Sequence, residues 1–374
     1  MRRGAAAGPG SAQPVPRAGW RLWLGIAALA VGQFAPLGQV LGQGSPGAPS
    51  SAAATNQVTP RTLSRLLLVA AAHAGNRVVA VGEHGYVIYS DDQGSTWRRG
   101  PTPRRAMLTA VAFVDDKFGW AVGHDGQILA SQDGGATWQE QRYKPEDKQP
   151  LFAVHFNDRE RGFAIGAYGL FLSTTDGGKT WTPATITEED KHFYAVAGDG
   201  AGRLASAAEA GTLLTSADQG RTWEPAASPY KGSFFGLLMT ADAGLLAYGL
   251  RGNIFKSVDF GKTWTPPALT EGTATLQGGA RLASGEIVLA GSAGAVLSSR
   301  DNGASFQRVA GLRAMTYSAV LPTATGALLF GEAGVVPYVP ATGAGSASPS
   351  APAAAPGAAA PANAPSGAPA KAKP

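Results

Sequence analysis

Six aspartates at near-constant spacing are the residues of this chain that most invite a chemical role. Successive members are 41 to 43 residues apart along the 374-residue chain. Carboxylates held in pairs hydrolyse glycosidic bonds by acting as acid, base or nucleophile, so a glycoside hydrolase is one class of enzyme that this pattern suggests. The six are Asp92, Asp133, Asp176, Asp218, Asp259 and Asp301.

Each aspartate lies in the same local pattern, Ser/Thr-x-Asp-x-Gly-x-Thr-Trp, which is degraded in the sixth copy. In such a turn the aspartate accepts backbone N–H bonds and the glycine takes the left-handed conformation, while the indole packs between sheets. A catalytic residue would interrupt a repeat, whereas these aspartates constitute it. We therefore predict a structural role for them and no enzymatic activity. The tryptophans of the first five copies are Trp97, Trp138, Trp181, Trp223 and Trp264.

Other candidate chemistry is sparse. The carboxylates of Asp115–Asp116 and Glu188–Asp190 lie in turn-like stretches, and the Arg-Ile-Pro signature of sialidases is absent. His84 and His124 lie at neighbouring hairpin tips beside Asp125, but no third ligand is apparent, so we predict no metal site. The absence of cysteine excludes thiol catalysis and disulfides, and no cofactor is expected. A sialidase-like hydrolase or a carbohydrate-binding propeller remains the alternative interpretation.

A second marker, Gly-x-x-Gly with Ala208 in place of the first glycine in the fourth copy, precedes each aspartate by about ten residues and has a seventh copy at 331–334. We expect it to form the hairpin between the second and third of four short strands, with glycines that tolerate positive φ. In the second unit, the first three strands are predicted at 108–113, 119–123 and 127–131. Seven units of this kind predict an all-β fold, a seven-bladed β-propeller with one Asp motif in six of the seven blades.

The seventh unit has no Asp motif and therefore no predicted fourth strand. We predict that residues 58–63, which precede the first unit, supply this strand. Pairing between the two ends of the propeller would close the ring and remove the exposed sheet edges. The propeller is accordingly assigned to residues 58–340.

The two ends of the chain differ from the repeat in composition. Residues 1–42 contain an apolar run at 22–31 behind arginines, which is typical of a secretory signal peptide, with a retained membrane anchor as the alternative. Residues 43–57 are predicted as a linker. Residues 341–374 contain 15 Ala and 7 Pro and are predicted to be a disordered tail. We expect an exported protein in a periplasm-like or thylakoid-lumen-like compartment, where membrane association is a further expectation.

The formal net charge of +5 originates at these ends, because residues 1–42 and 341–374 carry basic residues and no acidic ones. The repeat region between them is close to neutral. A basic protein often binds nucleic acid, but here the excess charge does not belong to the fold. We therefore predict no nucleic-acid partner.

The Asp motif is the Asp-box, or bacterial neuraminidase repeat. Residues 60–340 resemble the photosystem II stability and assembly factor family. They share one box per blade, a Gly-x-x-Gly element before it and short segments such as Gly-Phe-Ala-Ile-Gly at 162–166. The resemblance implies an exported, non-enzymatic, seven-bladed propeller that helps to assemble or stabilise membrane protein complexes. In photosynthetic organisms this complex would be photosystem II.

In a propeller, the hairpins between strands two and three share a face with the linkers between blades. The hairpin tips differ in every blade here, as expected of a binding face. The first linker places four arginines within 98–105, which suits carboxylates and acidic loops, although a merely solvated linker is the alternative. We expect a monomer that binds a membrane protein complex or its subunits and no small-molecule substrate. The candidate contacts are Arg98, Arg99, Arg104, Arg105, His84, His124, Tyr143, Tyr168 and Arg251.

Overall fold

The computed structural model describes residues 56–269 and 274–340. Seven sheets follow one another along this part of the chain, antiparallel except at the outermost strand of the sixth, and their inner strands pack side by side around a closed ring. The predicted all-β fold with seven blades is therefore confirmed. Among the described residues, no helix is long and apolar enough to cross a membrane. The predicted signal peptide and Ala/Pro tail, and nearly all of the predicted linker, lie outside the described residues.

The first four blades each contain four strands that run from the channel outwards in chain order, and blade 1 has a fifth strand, the first in the chain, at its outer edge. Blade 1 comprises β1 (Gln57–Val58), which lies outermost, then β2 (Leu68–Ala74), β3 (Arg77–Gly82), β4 (Val87–Ser90) and β5 (Trp97–Gly100). Blade 2 comprises β6 (Leu108–Phe113), β7 (Gly119–Gly123), β8 (Ile128–Ser131) and β9 (Gln139–Arg142). Blade 3 comprises β10 (Leu151–Phe156), β11 (Gly162–Gly166), β12 (Phe171–Thr174) and β13 (Thr182–Pro183). Blade 4 comprises β14 (Phe193–Gly198), β15 (Leu204–Ala208), β16 (Leu213–Ser216) and β17 (Glu224–Pro225).

The last three blades are less regular at their outer edges. Blade 5 comprises β18 (Phe234–Met239), β19 (Leu245–Gly249) and β20 (Ile254–Ser257). Blade 6 comprises β21 (Ala268–Leu269), which lies outermost, then β22 (Leu276–Arg281), β23 (Ile287–Gly291), β24 (Val296–Ser299) and β25 (Ser305–Arg308). Blade 7 comprises β26 (Tyr317–Pro322), β27 (Ala327–Gly331) and β28 (Gly334–Tyr338).

The hydrophobic core lies between adjacent blades. Every residue of β7 and of β23 is buried, and both strands are apolar at successive positions instead of alternating. Such a run fits a strand that neighbouring sheets cover on both faces. Between blades 1 and 2, for example, Val79 packs in one cluster with Ala121 and Leu129. The apolar strands of the repeat thus build one continuous ring of inter-blade cores.

The two glycines of the Gly-x-x-Gly hairpins have different roles. In blade 1, His84 and Gly85 both have left-handed φ (52° and 66°), and the Tyr86 N–H donates to the Glu83 carbonyl oxygen at 2.9 Å, as in a type I′ turn. Gly82 is extended, with φ of −175°. A Cβ atom on Gly82 would lie 1.9 Å from the Leu67 carbonyl oxygen. The prediction of positive φ is therefore wrong for the first glycine, which is needed for the close approach of two backbones.

The predicted ring closure by residues 58–63 is wrong. Residues 57 and 58 form β1, which pairs antiparallel with β5 on the outer edge of blade 1 and not with blade 7. The next residues form the helix α1 (Pro60–Leu63), in which the Thr59 hydroxyl caps the N–H of Thr62 at 3.2 Å. A capped turn that begins with proline favours helix over strand pairing. The ring is closed instead by the packing of β2 against β26, and by a bond from the Gly334 N–H to the Leu66 carbonyl oxygen at 3.0 Å.

The outer edge of β28 is left without a partner strand among the described residues, and a proline protects it. In blade 5, Lys256 exchanges two backbone hydrogen bonds of 2.8 Å with Thr265, which stands in the fourth-strand position. Lys256 and Pro337 each pair with the second residue of the second strand in their own blade. Pro337 therefore occupies in blade 7 the position that Lys256 has in blade 5. Because proline has no N–H to donate, another strand cannot pair fully with this edge.

Replacing this proline is expected to open the edge. Pro337→Ser restores the missing donor, so we expect concentration-dependent dimers or larger species, which light scattering coupled to size exclusion would measure. Val336→Thr changes polarity on the same strand without adding an edge donor, and it should remain at the wild-type mass. A Pro337→Ser protein that is folded by thermal melting and keeps the wild-type mass at all concentrations would contradict this role.

Candidate functional site

The Asp-box turns satisfy their aspartates internally. In blade 1, the Asp92 carboxylate accepts bonds from the N–H and the hydroxyl of Thr96 at 2.8 and 2.6 Å. The Ser90 hydroxyl donates to the same carboxylate at 2.7 Å and accepts the Gly94 N–H at 2.7 Å. The equivalent glycines are left-handed in all six boxes, as the sequence predicts. Each aspartate therefore holds its own turn between the third and fourth strands.

These hydrogen bonds keep the aspartates ionised. Bonds from the Thr96 hydroxyl and backbone N–H lower the pKa of Asp92 to about 2. The backbone N–H and hydroxyl of Thr180 lower the pKa of Asp176 to about 2 in the same way. A carboxylic acid of this strength holds no proton to donate near neutral pH, so it is unsuited to general acid catalysis. This geometry agrees with a structural role for the boxes.

The box aromatics join each blade to the one before it. The Trp97 indole lies edge-on to Phe330 of blade 7 at 6.2 Å, and its N–H donates to the Gly94 carbonyl oxygen at 3.0 Å. Trp223 packs edge-on to Phe163 of blade 3 at 5.7 Å. In the degraded sixth box, Phe306 is buried in the core shared with blade 5.

The remaining acidic stretches are engaged in surface contacts. Asp115 accepts the backbone N–H groups of Lys117 and Phe118 at 2.8 Å and contacts Arg159 at 2.6 Å. Glu189 pairs with Lys191 at 2.5 Å. Among the described residues, no group of three or more His, Asp or Glu side chains is placed to hold a metal ion.

The hairpins and the linkers between blades form one face of the propeller, here called the hairpin face; the Asp-box turns lie on the opposite box face. The Gly169 N–H donates to the Lys191 carbonyl oxygen in the next linker at 2.7 Å. The Gly294 N–H likewise donates to the Met315 carbonyl oxygen at 2.7 Å. These bonds fix each hairpin against the linker that follows its blade.

The structure separates the four arginines of the predicted cluster. Arg98 and Arg99 lie in β5 and not in a linker, so their predicted placement is wrong; the strand continues because Tyr89 and Ile88 pair with them. Arg105 is exposed and has no ion pair with any described residue.

Two of the predicted contacts are held by aromatic rings. The Arg99 guanidinium lies 4.5 Å from the centre of the Tyr86 ring. Arg104 pairs with Glu140 at 2.7 Å and lies 4.6 Å from the centre of the Tyr143 ring.

The other predicted contacts lie at the hairpin tips. His84 is exposed, and Tyr143 donates to the Asp125 carboxylate at 3.3 Å beside His124. The Tyr168 side chain is 56% exposed and packs edge-on to His192 at 4.7 Å.

Basic residues recur at one place on the hairpin face, and sequence reasoning singled out only one of them, Arg105, as a contact. They stand three or four residues before the inner strand of five blades, and all are exposed. None forms an ion pair with a residue that the structure describes. The spacing to the predicted inner strand would have revealed them. We call them the linker cations: Arg65, Arg105, Lys148, Lys231 and Arg313.

Three glutamates at the hairpins of the same face are bound to the backbone. Glu83 and Glu209 accept the N–H groups of Leu67 and His192 at 3.0 Å. Glu332 does the same for the Thr316 N–H at 3.0 Å. Because these hairpin glutamates orient the linkers, they do not neutralise the linker cations in direct pairs.

The seven inner strands place one residue each into the central channel. At the second residue of every inner strand the pairing with the next strand shifts by one, as in a β-bulge. These residues line an open cavity of about 370 Å³ together with residues of the hairpin face. We call them the bulge residues: Val69, Thr109, Phe152, Tyr194, Phe235, Gln277 and Ser318.

Three consecutive bulge residues are aromatic and form an arc. Phe152 and Tyr194 have ring centres 5.6 Å apart, and Tyr194 and Phe235 have ring centres 5.0 Å apart. All three side chains are only partly buried. Burial, with a smaller effect of Glu209, raises the pKa of Tyr194 to about 12, so its phenol stays neutral. This aromatic arc gives the channel one apolar side.

Seven blades and six internally satisfied box turns define the chain as an Asp-box β-propeller. The model of the photosynthesis system II assembly factor YCF48 family matches residues 101–277. The family resemblance predicted from the repeat is thereby confirmed: residues 101–277 carry repeats like those of photosystem II assembly factors.

Solved structures share this fold. YCF48 bound to a D1 peptide is 20% identical with a TM-score of 0.60, over 73% of this chain and 91% of that one. YCF48 from Cyanidioschyzon merolae is 17% identical with a TM-score of 0.59, over 73% and 95% of the two chains. Virginiamycin B lyase from Staphylococcus aureus is 10% identical with a TM-score of 0.61, over 72% and 94%. At these identities the similarity shows the fold alone. No curated protein matches the sequence.

The box aspartates should make stability depend on acid pH. Hydrogen bonds from the Thr263 hydroxyl and N–H lower the pKa of Asp259 to about 2, below the value of about 3.9 for an unfolded chain. The stabilisation is therefore complete above about pH 4 and is lost as the pH falls towards 2. Asp259→Asn should lower the Tm at pH 7, and its difference from wild type should shrink between pH 4 and 2 in calorimetry.

The matched control is Asp116→Asn. Asp116 is exposed, and its carboxylate accepts no hydrogen bond from the described residues. Its Tm should follow that of wild type at each pH. A difference between Asp259→Asn and wild type that stays constant from pH 7 to pH 2 would contradict the proposed ionic role of the box.

Proposed function

We propose that this chain is a non-enzymatic assembly or stability factor that binds a segment of a membrane protein subunit on its hairpin face. The observation that carries this proposal is the set of linker cations, which are exposed and unpaired among the described residues. Exposed arginine and lysine side chains around a concave centre attract acidic protein segments and speed their association. Tips that differ from blade to blade give such a face its selectivity.

The comparisons support a peptide of a membrane protein as the ligand class. A relative with the same fold, YCF48, binds a D1 peptide. The family model covers residues 101–277, which include four blades and the linkers that carry Arg105, Lys148 and Lys231. We propose that Arg105 and Arg251 are contact residues, together with His84 and Tyr168 at the hairpin tips. Photosystem II is the proposed client if the host is photosynthetic.

Export and the absence of catalysis are part of the same proposal. The segment at 1–42 predicts a secretory signal, which would place the propeller on the side of the membrane where extramembranous loops are accessible. Box aspartates whose pKa is about 2 support a scaffold over a hydrolase. We propose that the protein acts as a monomer, because the ring is closed within one chain.

Charge reversal on the hairpin face should abolish client binding. The variant combines Arg105→Glu, Lys231→Glu and Arg313→Glu in the tagged full-length protein. Capture from detergent-solubilised membranes of the host, quantified by mass spectrometry, should recover a membrane protein complex with wild type. The triple variant should recover it at a level reduced on the order of tenfold, because steering and contact are both lost.

The matched control carries the same change of charge on the box face: Lys179→Glu, Arg221→Glu and Lys262→Glu. These three side chains are exposed. The control should recover as much client as wild type does. Equal recovery by all three proteins would place binding elsewhere on the ring, and recovery of no membrane protein by wild type would refute the assembly-factor proposal.

A further inference from the structure

We propose that the channel mouth binds one aromatic or large aliphatic side chain of an extended peptide that has acidic residues on both sides of it. This inference rests on the proposed function and names the chemistry of the segment that the hairpin face recognises. The aromatic arc would receive the apolar side chain, and the linker cations would contact the flanking carboxylates. The inference assigns a role to the bulge residues, whose side chains are not needed to form the Asp-box turns or the hairpins.

The cavity has the size and lining for a single large side chain. Its volume of about 370 Å³ is at the lower end of the range for ligand pockets. Met107 and Leu250 from the hairpin face and Val69 from blade 1 add apolar walls to the arc. Burying the remaining exposed surface of these rings against another apolar group lowers the free energy of the complex, and aromatic pairs add edge-to-face contacts.

The opposite side of the channel leaves room for this side chain. Thr109, Gln277 and Ser318 are small or polar, so the arc faces open space instead of a second set of rings. The Tyr194 hydroxyl makes no hydrogen bond to a described residue. It is thus available to donate to a carbonyl oxygen of the bound peptide, which would fix the backbone beside the anchoring side chain.

The charges around the mouth favour acidic flanks over basic ones. Each linker cation precedes the bulge residue of its own blade by four or five residues, so the cations surround the cavity from five blades. Arg251 directly follows the lining residue Leu250 and is also exposed. At about 3.3 Å per residue, acids two to four positions from the anchor lie roughly 7 to 13 Å from it, within reach of long side chains.

One sector of the rim differs. The linker at 188–190 is acidic, and Lys191 beside it is paired with Glu189 at 2.5 Å. This sector belongs to blade 4, behind Tyr194 in the middle of the arc. The acidic flanks of the peptide would therefore run towards the other blades, which gives the bound segment a preferred path across the face.

The test uses a dye-labelled, end-blocked nonapeptide with one central tryptophan and two acidic residues on each side. Fluorescence anisotropy measures its binding to the full-length protein and to three variants. Phe235→Ala removes one ring of the arc, and Ser318→Phe fills the cavity without removing any core residue. Phe118→Ala removes a comparable half-buried ring on the box face and is the control.

We expect both channel variants to weaken binding by about tenfold or more, while Phe118→Ala binds like wild type. Replacing the tryptophan of the peptide by alanine should have a similar effect. A peptide with lysine in place of the acids should bind at least tenfold more weakly, and added salt should weaken binding of the acidic peptide.

Several results would overturn the inference. The inference is refuted if the alanine peptide binds the wild-type protein as tightly as the tryptophan peptide does, or if neither channel variant changes binding of the tryptophan peptide. It is also refuted if the lysine peptide binds as tightly as the acidic peptide, or if no peptide binds at millimolar concentration. Capture of the client from membranes is measured separately. If capture succeeds while the peptide result is negative, the proposed function stands and recognition through the channel is refuted; if capture also fails, both are refuted.

Discussion

The hydrogen bonds that each Asp-box aspartate accepts inside its own turn are the interaction on which this propeller depends. In blade 3, Asp176 takes the N–H and the hydroxyl of Thr180 at 3.0 and 2.7 Å, which holds the turn in one conformation. The glycine of the turn can then be left-handed, and the next residues start the outer strand with an aromatic ring directed at the preceding blade. Six repetitions of this arrangement stack the sheets in one direction around the ring.

The seventh blade shows what happens without that interaction. It has no box, and no strand covers its outer edge in the described part of the chain. Its contact with blade 1 relies on Trp97, whose ring meets Phe330, and on inner-strand packing. The edge that remains is protected by Pro337, a residue that has no counterpart at the same register position in blades 5 and 6. The ring is therefore closed by packing and by the hydrogen bond from Gly334 to Leu66, and not by strand exchange between the chain ends.

Structural features that recur in every repeat can be predicted from the sequence, whereas features that depend on single residues are missed. Blade number, strand positions, box turns and the left-handed second glycine all recur, so seven partial copies reinforce one interpretation. Ring closure depends on one local competition, in which Thr59 and Pro60 favour a helical turn where a strand was expected. The bulges leave no mark in the apolar pattern, because a one-residue shift within a strand changes neither composition nor length. The arginines at 98 and 99 were misplaced because the outer strand has no apolar alternation to define its end.

Equivalent positions can be compared between the seven blades of this one chain. At the first residue of each inner strand, every blade has a large apolar side chain such as Leu68, Leu151 or Phe234, because that position faces an inter-blade core. One residue later, at the bulge, the same backbone carries Val, Thr, Phe, Tyr, Phe, Gln and Ser. Packing therefore requires a large apolar side chain at the first position, whereas the second varies from blade to blade, although both lie in the same strand. In blade 2 the Thr109 hydroxyl donates to the Leu151 carbonyl oxygen of the next blade at 2.6 Å, but other blades carry Val, Phe or Ser at the equivalent place. Because this variable position is directed into a concavity that all seven blades share, selectivity for a partner can be introduced there with little effect on the ring.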